Sequence, residues 1–194
     1  MEQNRSILLC GVGGQGTVLA SKLIAYAAMR GGLEVRTSET IGMAQRGGCV
    51  VSHVRVGHHI NSPLIPRGSA DLLLGFEPAE AVRCLPYLRR GGTAVVSRAP
   101  ISPVTASLSG SSYNGADMLT YLAEQVENLI ILDTEEIIVA CGSPRVLNIA
   151  LLAAAAKTDA LGITPDELRA AVRERLPEKF HALNLGAIDY ICRR

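Results

Sequence analysis

Tryptophan is absent from this chain, and phenylalanine occurs only twice in 194 residues. Flat aromatic platforms for stacking bases are therefore scarce, which argues against single-stranded nucleic acid as a partner. No charge of one sign predominates: 19 Lys and Arg stand against 18 Asp and Glu, a formal net charge of +1. Such a balance creates no field that would draw the chain to nucleic acid or to an anionic membrane. Close cysteine pairs are missing too, since Cys10, Cys49, Cys84, Cys141 and Cys192 lie far apart. Zinc and iron–sulfur sites usually show such pairs, so no metal site is expected on this chain. The odd, scattered set suits reduced thiols better than a disulfide framework. The strongest apolar run, Val146 to Ala156, falls short of the roughly 20 residues that a membrane span needs. Glu2 and Arg5 precede only a short apolar stretch, unlike a signal peptide. These absences predict a soluble, cytoplasmic chain with no membrane partner. Neither a Gly-x-x-x-x-Gly-Lys-Ser/Thr loop nor a Gly-x-Ser-x-Gly elbow occurs, so P-loop and common serine-hydrolase chemistry are not expected. No self-contained catalytic set stands out.

What is present is a Rossmann-like start. Ile7 to Cys10 reads as a strand, Gly11 to Gly16 as a glycine turn, and Gly14 to Met29 as a helix with Leu19, Leu23 and Ala27 along one face. Gly31-Gly32 ends that helix. Strands are predicted at Val35–Ser38, Cys49–Val56, Ala70–Gly75, Thr93–Ser97 and Leu129–Leu132. Helices are predicted over Glu77–Leu88, broken near Pro86, and over Ala116–Gln125. Residues 98–115, rich in Ser, Pro and Gly, read as an exposed connection. The C-terminal third is helical. Ser143-Pro144 opens a helix whose stretch Val146 to Ala156 carries no charge and should be buried on most sides. Thr164-Pro-Asp-Glu167 is a capping box, and Leu168, Val172 and Leu176 line the helix it starts. A last helical segment covers Pro177 to Ile191. Strands alternating with helices predict a three-layer α/β/α sandwich around a mostly parallel, or mixed, sheet. Ligands of such folds sit at the carboxyl ends of the strands, where the loops 11–16 and 42–48 could meet.

Gly11-x-Gly13-x-x-Gly16 matches the dinucleotide fingerprint in the right strand–helix context. The acid expected about 20 residues on, for a ribose hydroxyl, is missing. Arg36 stands there, with Glu34 and Glu39 as flanking alternatives, so a 2′-phosphorylated nicotinamide stays open beside a purely packing role for the glycines. Gln15 places an amide at the helix start. Gln45 and Arg46, beside Gly47 and Gly48, offer an amide and a cation that can grip an oxyanion, or else decorate a surface turn. His53 reads as a satisfied core residue. His58-His59 has no carboxylate or Cys close by in the sequence, so metal binding is not expected there.

Cys-Gly-Val-Gly-Gly-Gln-Gly (10–16), Gly-Met-Ala-Gln-Arg-Gly-Gly (42–48) and Val-Val-Ser-His-Val-Arg-Val-Gly (50–57) together resemble the gamma-type subunit of 2-oxoacid:ferredoxin oxidoreductases. The Gly-Met-Ala-Gln stretch is similar to the beta subunit of the indolepyruvate type. Ser-Pro-Leu-Ile-Pro (62–66), Ala-Asp-Leu-Leu-Leu-Gly (70–75) and Ser-Pro-Arg-Val-Leu-Asn (143–148) extend the likeness over nearly the whole chain.

The resemblance implies a single pyruvate/ketoisovalerate oxidoreductase gamma-type domain over 1–194. It implies oxidative decarboxylation of an aryl pyruvate with coenzyme A to aryl-acetyl-CoA and CO2, with electrons passing to ferredoxin. Thiamine diphosphate and the 4Fe-4S clusters would lie in a larger partner subunit; this chain would bind no cofactor alone, and a homodimer is one expectation for it when isolated. No catalytic residue is assigned to it. The expected contacts with coenzyme A or a substrate-proximal surface are Gly11, Gly13, Gly14, Gln15, Gly16, Gln45, Arg46, Gly47, Gly48 and Asn148. Rival expectations are a stand-alone NAD(P)-binding oxidoreductase, another 2-oxoacid specificity such as pyruvate, and a scaffold role.

Overall fold

The computed structural model describes residues 4–41, 47–102 and 113–194. Its first strand, β1 (Arg5–Val12), is buried along almost its whole length because helices cover both faces of the sheet. The glycine turn leads into α1 (Thr17–Arg30), and Gly31 caps its end with an N–H donated to the carbonyl of Ala27. Then come β2 (Glu34–Ile41), β3 (Cys49–Gly57) and β4 (Ala70–Gly75). The helix predicted at 77–88 is shorter than expected. α2 (Pro78–Cys84) passes into a single 3-10 turn at Leu85–Tyr87, where Pro86 supplies no N–H, and β5 (Leu88–Ser97) begins at once.

The remaining elements are α3 (Ala116–Gln125), β6 (Asn128–Leu132), α4 (Thr134–Cys141), α5 (Leu147–Ala156), α6 (Pro165–Arg175) and α7 (His181–Cys192). The capping box on α6 forms as predicted: the Thr164 hydroxyl accepts from the Glu167 N–H, and the Glu167 carboxylate accepts from the Thr164 N–H. Helix α4 was not expected. Asp133 caps its start by accepting from the Glu136 N–H, and Gly142 ends it in the left-handed conformation.

The strand order is β2-β3-β1-β4-β5-β6. The β1–β4, β4–β5 and β5–β6 ladders are parallel, whereas β3 runs antiparallel to both β1 and β2. The sheet is therefore mixed through one reversed strand, β3. β1 and β2 keep the common direction of a strand–helix–strand crossover, with β3 between them.

Alternation along the strands sends Ile7, Leu9, Leu72, Leu74 and Val95 to one face, against α1 and α4–α7. It sends Leu8, Cys10, Leu73, Ala94 and Val96 to the other, against α2 and α3. Helix α5 is buried on all sides from Asn148 onward, as its uncharged sequence predicts. Leu19 departs from expectation. It is exposed, and the face α1 buries is that of Ala20, Leu23, Ile24, Ala27 and Ala28. Among the described residues no single helix is long and apolar enough to cross a membrane.

Candidate functional site

The two glycine segments meet at the carboxyl rim of the sheet, as strand order and direction require. Val12 pairs with Cys49 at the end of the β1–β3 ladder. Just beyond, the Gly13 N–H donates to the Gly48 carbonyl at 2.8 Å, and the Gly47 N–H donates back to the Gly13 carbonyl at 3.5 Å. Gln45 and Arg46 lie outside the described residues.

Gln15 ties the rim together. Its Oε1 accepts from the Val12 N–H and its Nε2 donates to the Phe76 carbonyl, each at 2.7 Å. The amide thus bridges the ends of β1 and β4, and both its polar ends are occupied by backbone. Gly11 is glycine because a Cβ there would lie 2.7 Å from both Gln15 Oε1 and Phe76 Cβ. Gly16 adopts φ 84° at the start of α1, and a Cβ would fall 2.6 Å from Asn148 Nδ2. No side chain caps the N-terminus of α1, so its first amides face the rim.

On the β4–β5 side of the turn lies a cleft of about 410 Å³. Gly14, Gln15 and Gly16 form one edge, and the start of α5 with its preceding turn supplies Arg145 and Asn148 opposite. Phe76, Ile101, Leu147 and Leu151 contribute apolar wall, and Ser97 stands at the end of β5. Of the predicted residues, Gly14, Gln15, Gly16 and Asn148 are brought together here. Gly47 and Gly48 fall on the β3 side of the turn, with Gly13 at the junction.

Three groups at this rim escaped the sequence reading. Ser97 and Arg145 line the cleft; Arg145 lies within the stretch 143–148 but was not singled out there, and Ser97 belongs to no motif. Glu77, almost fully buried, accepts from the Glu80 N–H at 3.0 Å, from the Ile101 N–H at 3.4 Å and from the Tyr113 hydroxyl at 2.5 Å. It fixes the backbone of Ile101, one wall of the cleft. The Tyr113 hydroxyl also accepts from the Ala79 N–H. Burial first, then the neighbouring Glu77, pushes this phenol well above its ordinary range, so it stays a donor. The signal for Glu77 was its position before Pro78 as an N-cap.

His53 is the satisfied core residue expected. It is buried, its Nδ1 accepts from the Ile65 N–H at 3.2 Å, and its ring meets Tyr87 edge-on. Burial lowers its pKa below 6.5, leaving the neutral ring that this bond requires. The acids near the fingerprint are committed elsewhere: Glu39 accepts from the Ser21 hydroxyl and Glu34 from the Ile60 N–H. The Cys10 thiol donates to the Leu74 carbonyl at 3.6 Å, and the neighbouring Cys84 thiol, with burial, raises its pKa. Among the described residues no group of three or more His, Cys, Asp or Glu side chains is placed to hold a metal ion.

A glycine turn at the rim of a mixed six-stranded sheet, with one reversed strand inserted beside it, is the fold of oxoacid oxidoreductase gamma subunits. The gamma subunit of a keto/oxoacid ferredoxin oxidoreductase from Geobacter sulfurreducens superposes with a TM-score of 0.68 at 23% identity, over 95% of this chain and 94% of that one. A 2-oxoglutarate:ferredoxin oxidoreductase from Magnetococcus marinus, solved with 2-oxoglutarate, coenzyme A and succinyl-CoA bound, superposes at 0.71 and 20% identity. There the match covers all of this chain but only 31% of that one. Residues 6–193 match the model of the pyruvate ferredoxin/flavodoxin oxidoreductase family, and the chain belongs to that family.

Within it, the likeness is to the indolepyruvate type. Indolepyruvate oxidoreductase subunit IorB of Pyrococcus horikoshii is 32% identical over 186 residues, 95% of this chain and 92% of that protein. Its counterpart from Methanothermobacter thermautotrophicus is 36% identical over 185 residues, 95% and 94% of the two chains. The resemblance seen in the glycine motifs therefore holds over the full length of the match.

Proposed function

We propose that this chain is the single-domain, non-autonomous subunit of an indolepyruvate-type 2-oxoacid:ferredoxin oxidoreductase. The complex would convert an aryl pyruvate and coenzyme A to aryl-acetyl-CoA and CO2, and would pass the electrons to ferredoxin in the cytoplasm. Thiamine diphosphate and iron–sulfur clusters would belong to the larger partner subunit. When bound there, they supply the carbon–carbon cleavage and the electron transfer. This chain supplies a shaped rim: the glycine turn 11–16, the loop 45–48 and Asn148 face coenzyme A or the substrate-proximal surface of the partner.

The observation that carries this reading is the likeness to the IorB subunits over nearly the whole chain, together with the scarcity of groups at the rim able to do chemistry alone. Gln15, the polar side chain of the turn, has its amide oxygen and its amide nitrogen each bonded to backbone. The stand-alone dinucleotide reading is less well supported. Inserting β3 moves β2, which carries the ribose-binding position in dinucleotide folds, away from the turn by one strand spacing, about 4.8 Å.

Co-purification tests the proposal. A large, brown, thiamine-containing subunit should accompany the chain, and the pair should reduce ferredoxin with indolepyruvate and coenzyme A. Tight NADPH or NADH binding with turnover by the chain alone would sink it. Within the complex, Arg46→Ala should raise the KM for coenzyme A; unaltered kinetics in an intact assembly would leave only a scaffold role for that loop.

A further inference from the structure

We infer that the cleft between the glycine turn and α5 is an oxyanion site, which takes a carboxylate or phosphate ester carried on an apolar body and reads its charge through Arg145. The inference rests on the reading of this rim as the ligand-facing side of the subunit, and it assigns the cleft a ligand class.

The cleft's polar groups are donors. Asn148 is more than nine-tenths buried. Its Oδ1 accepts from the Ile149 N–H, and its Nδ2, pressed against Gly16, has no acceptor among the described residues. Ser97 is buried to a similar degree. Its oxygen accepts from the Ala99 N–H at 3.2 Å, and its hydroxyl proton likewise lacks an acceptor among the described residues. Both residues line the cleft, so an acceptor seated there, ligand or solvent, completes the bonding that the protein leaves open.

The third contributor is the open N-terminus of α1, a 14-residue helix with no side-chain cap and no acid in its first turn. Its amides and dipole favour negative charge at the same edge. Arg145 is the one charged side chain among the lining residues, and no carboxylate pairs with it among the described residues. Among the described residues no Asp or Glu lines the cleft to oppose an anion. A guanidinium at the mouth and neutral donors within grip both oxygens of a carboxylate or the oxygens of a phosphate. The remaining wall is apolar, from Phe76, Leu147 and Leu151 to Pro144. A bare inorganic ion would leave that wall uncovered, whereas an organic anion covers it.

The test is a titration of the ¹⁵N-labelled full chain with two matched probe pairs. Phenylacetate is set against neutral phenylacetamide, and 4′-phosphopantetheine against uncharged pantetheine. The inference expects the anion of at least one pair to shift the Gly16 amide and the Asn148 side-chain NH2. It expects that anion to bind at least tenfold more tightly than its neutral partner, and Arg145→Gln to erase the difference. Ser97→Ala should weaken the anion severalfold, as a variant less exposed to misfolding than Asn148→Ala. Which pair responds tells a carboxylic acid from a phosphate ester.

Equal binding of charged and neutral probes overturns the inference. So does anion binding indifferent to Arg145→Gln, or no binding by any probe to the chain alone and, by equilibrium dialysis, to its complex. None of these outcomes bears on co-purification with the larger subunit, so failure here is distinguishable from failure of the subunit reading.

Discussion

The two faces of the sheet are built differently. On one, α1 and α4–α7 bury an almost purely aliphatic mass, centred on α5 with its run of alanines from 153 to 156. On the other, the short α2 and α3 cover a thinner core that contains the Cys10–Cys84 contact, with buried His53 and Glu77 close to α2 or the 3-10 turn after it. The thick face draws its stability from close packing. The thin face also relies on hydrogen bonds that fix particular pieces of backbone, including Ile101 at the wall of the cleft.

The largest expected effect tests that contrast directly. Leu74 and Leu73 are adjacent, both fully buried, and point to opposite faces. Leu74→Ala should cost about 4 kcal/mol because the helices on its side cannot close the cavity, whereas Leu73→Ala should cost about 2 kcal/mol as seven-residue α2 settles inward. Urea unfolding of both variants measures this, and a reversed order breaks the comparison. Next comes Glu77→Gln. The carboxylate accepts from three donors, and an amide turns one oxygen into a donor facing them, so a loss of about 2 kcal/mol is expected. Tyr113→Phe should cost about 1 kcal/mol, and a double-mutant cycle should find the two coupled. Additive losses would mean that the thin face has no such hub.

The smallest effect is one of pH. His53 has a folded-state pKa lowered by burial from 6.5. The unfolded chain therefore takes up a proton near pH 6.5 that the folded chain still refuses. Stability is flat above that pH and falls as the pH drops below it, until the folded-state pKa is reached. Thermal unfolding between pH 7 and 5 should show a shallower slope in His53→Gln than in the parent. An unchanged slope would remove His53 from the account.

Much of this architecture is readable in the residues, because it rests on local chemistry. The glycine turn, the Gly31-Gly32 stop, the capping box at Thr164 and the buried uncharged helix after Ser143-Pro144 all form where the sequence places them. The direction of β3 is not readable in this way. Its alternation is the same in either orientation, and only pairing with β1 and β2 decides. Helix α4 is short, and its Asp133 cap and Gly142 stop sit against a strand and another helix, so it merges with its neighbours. At the site, Gly14, Gly16 and Asn148 were found through motifs. Ser97 was missed because it is a single residue at the end of a strand, joined to the others only by the order of the strands, and Arg145 because in the stretch 143–148 only Asn148 was singled out. Gln15 was named as well, but its backbone bonds to Val12 and Phe76 are announced by no spacing rule.

The reversed strand has a consequence for how such a chain can vary. β3 is spliced between two strands already related by an ordinary crossover through α1. Among the described residues, it meets the glycine turn through backbone bonds of Gly13 with Gly47 and Gly48. Bonds of that kind ask nothing of side-chain identity, so the reversed strand leaves the sequence at this junction freer to drift than at Gly11 or Gly16, where a Cβ would run into Gln15, Phe76 or Asn148.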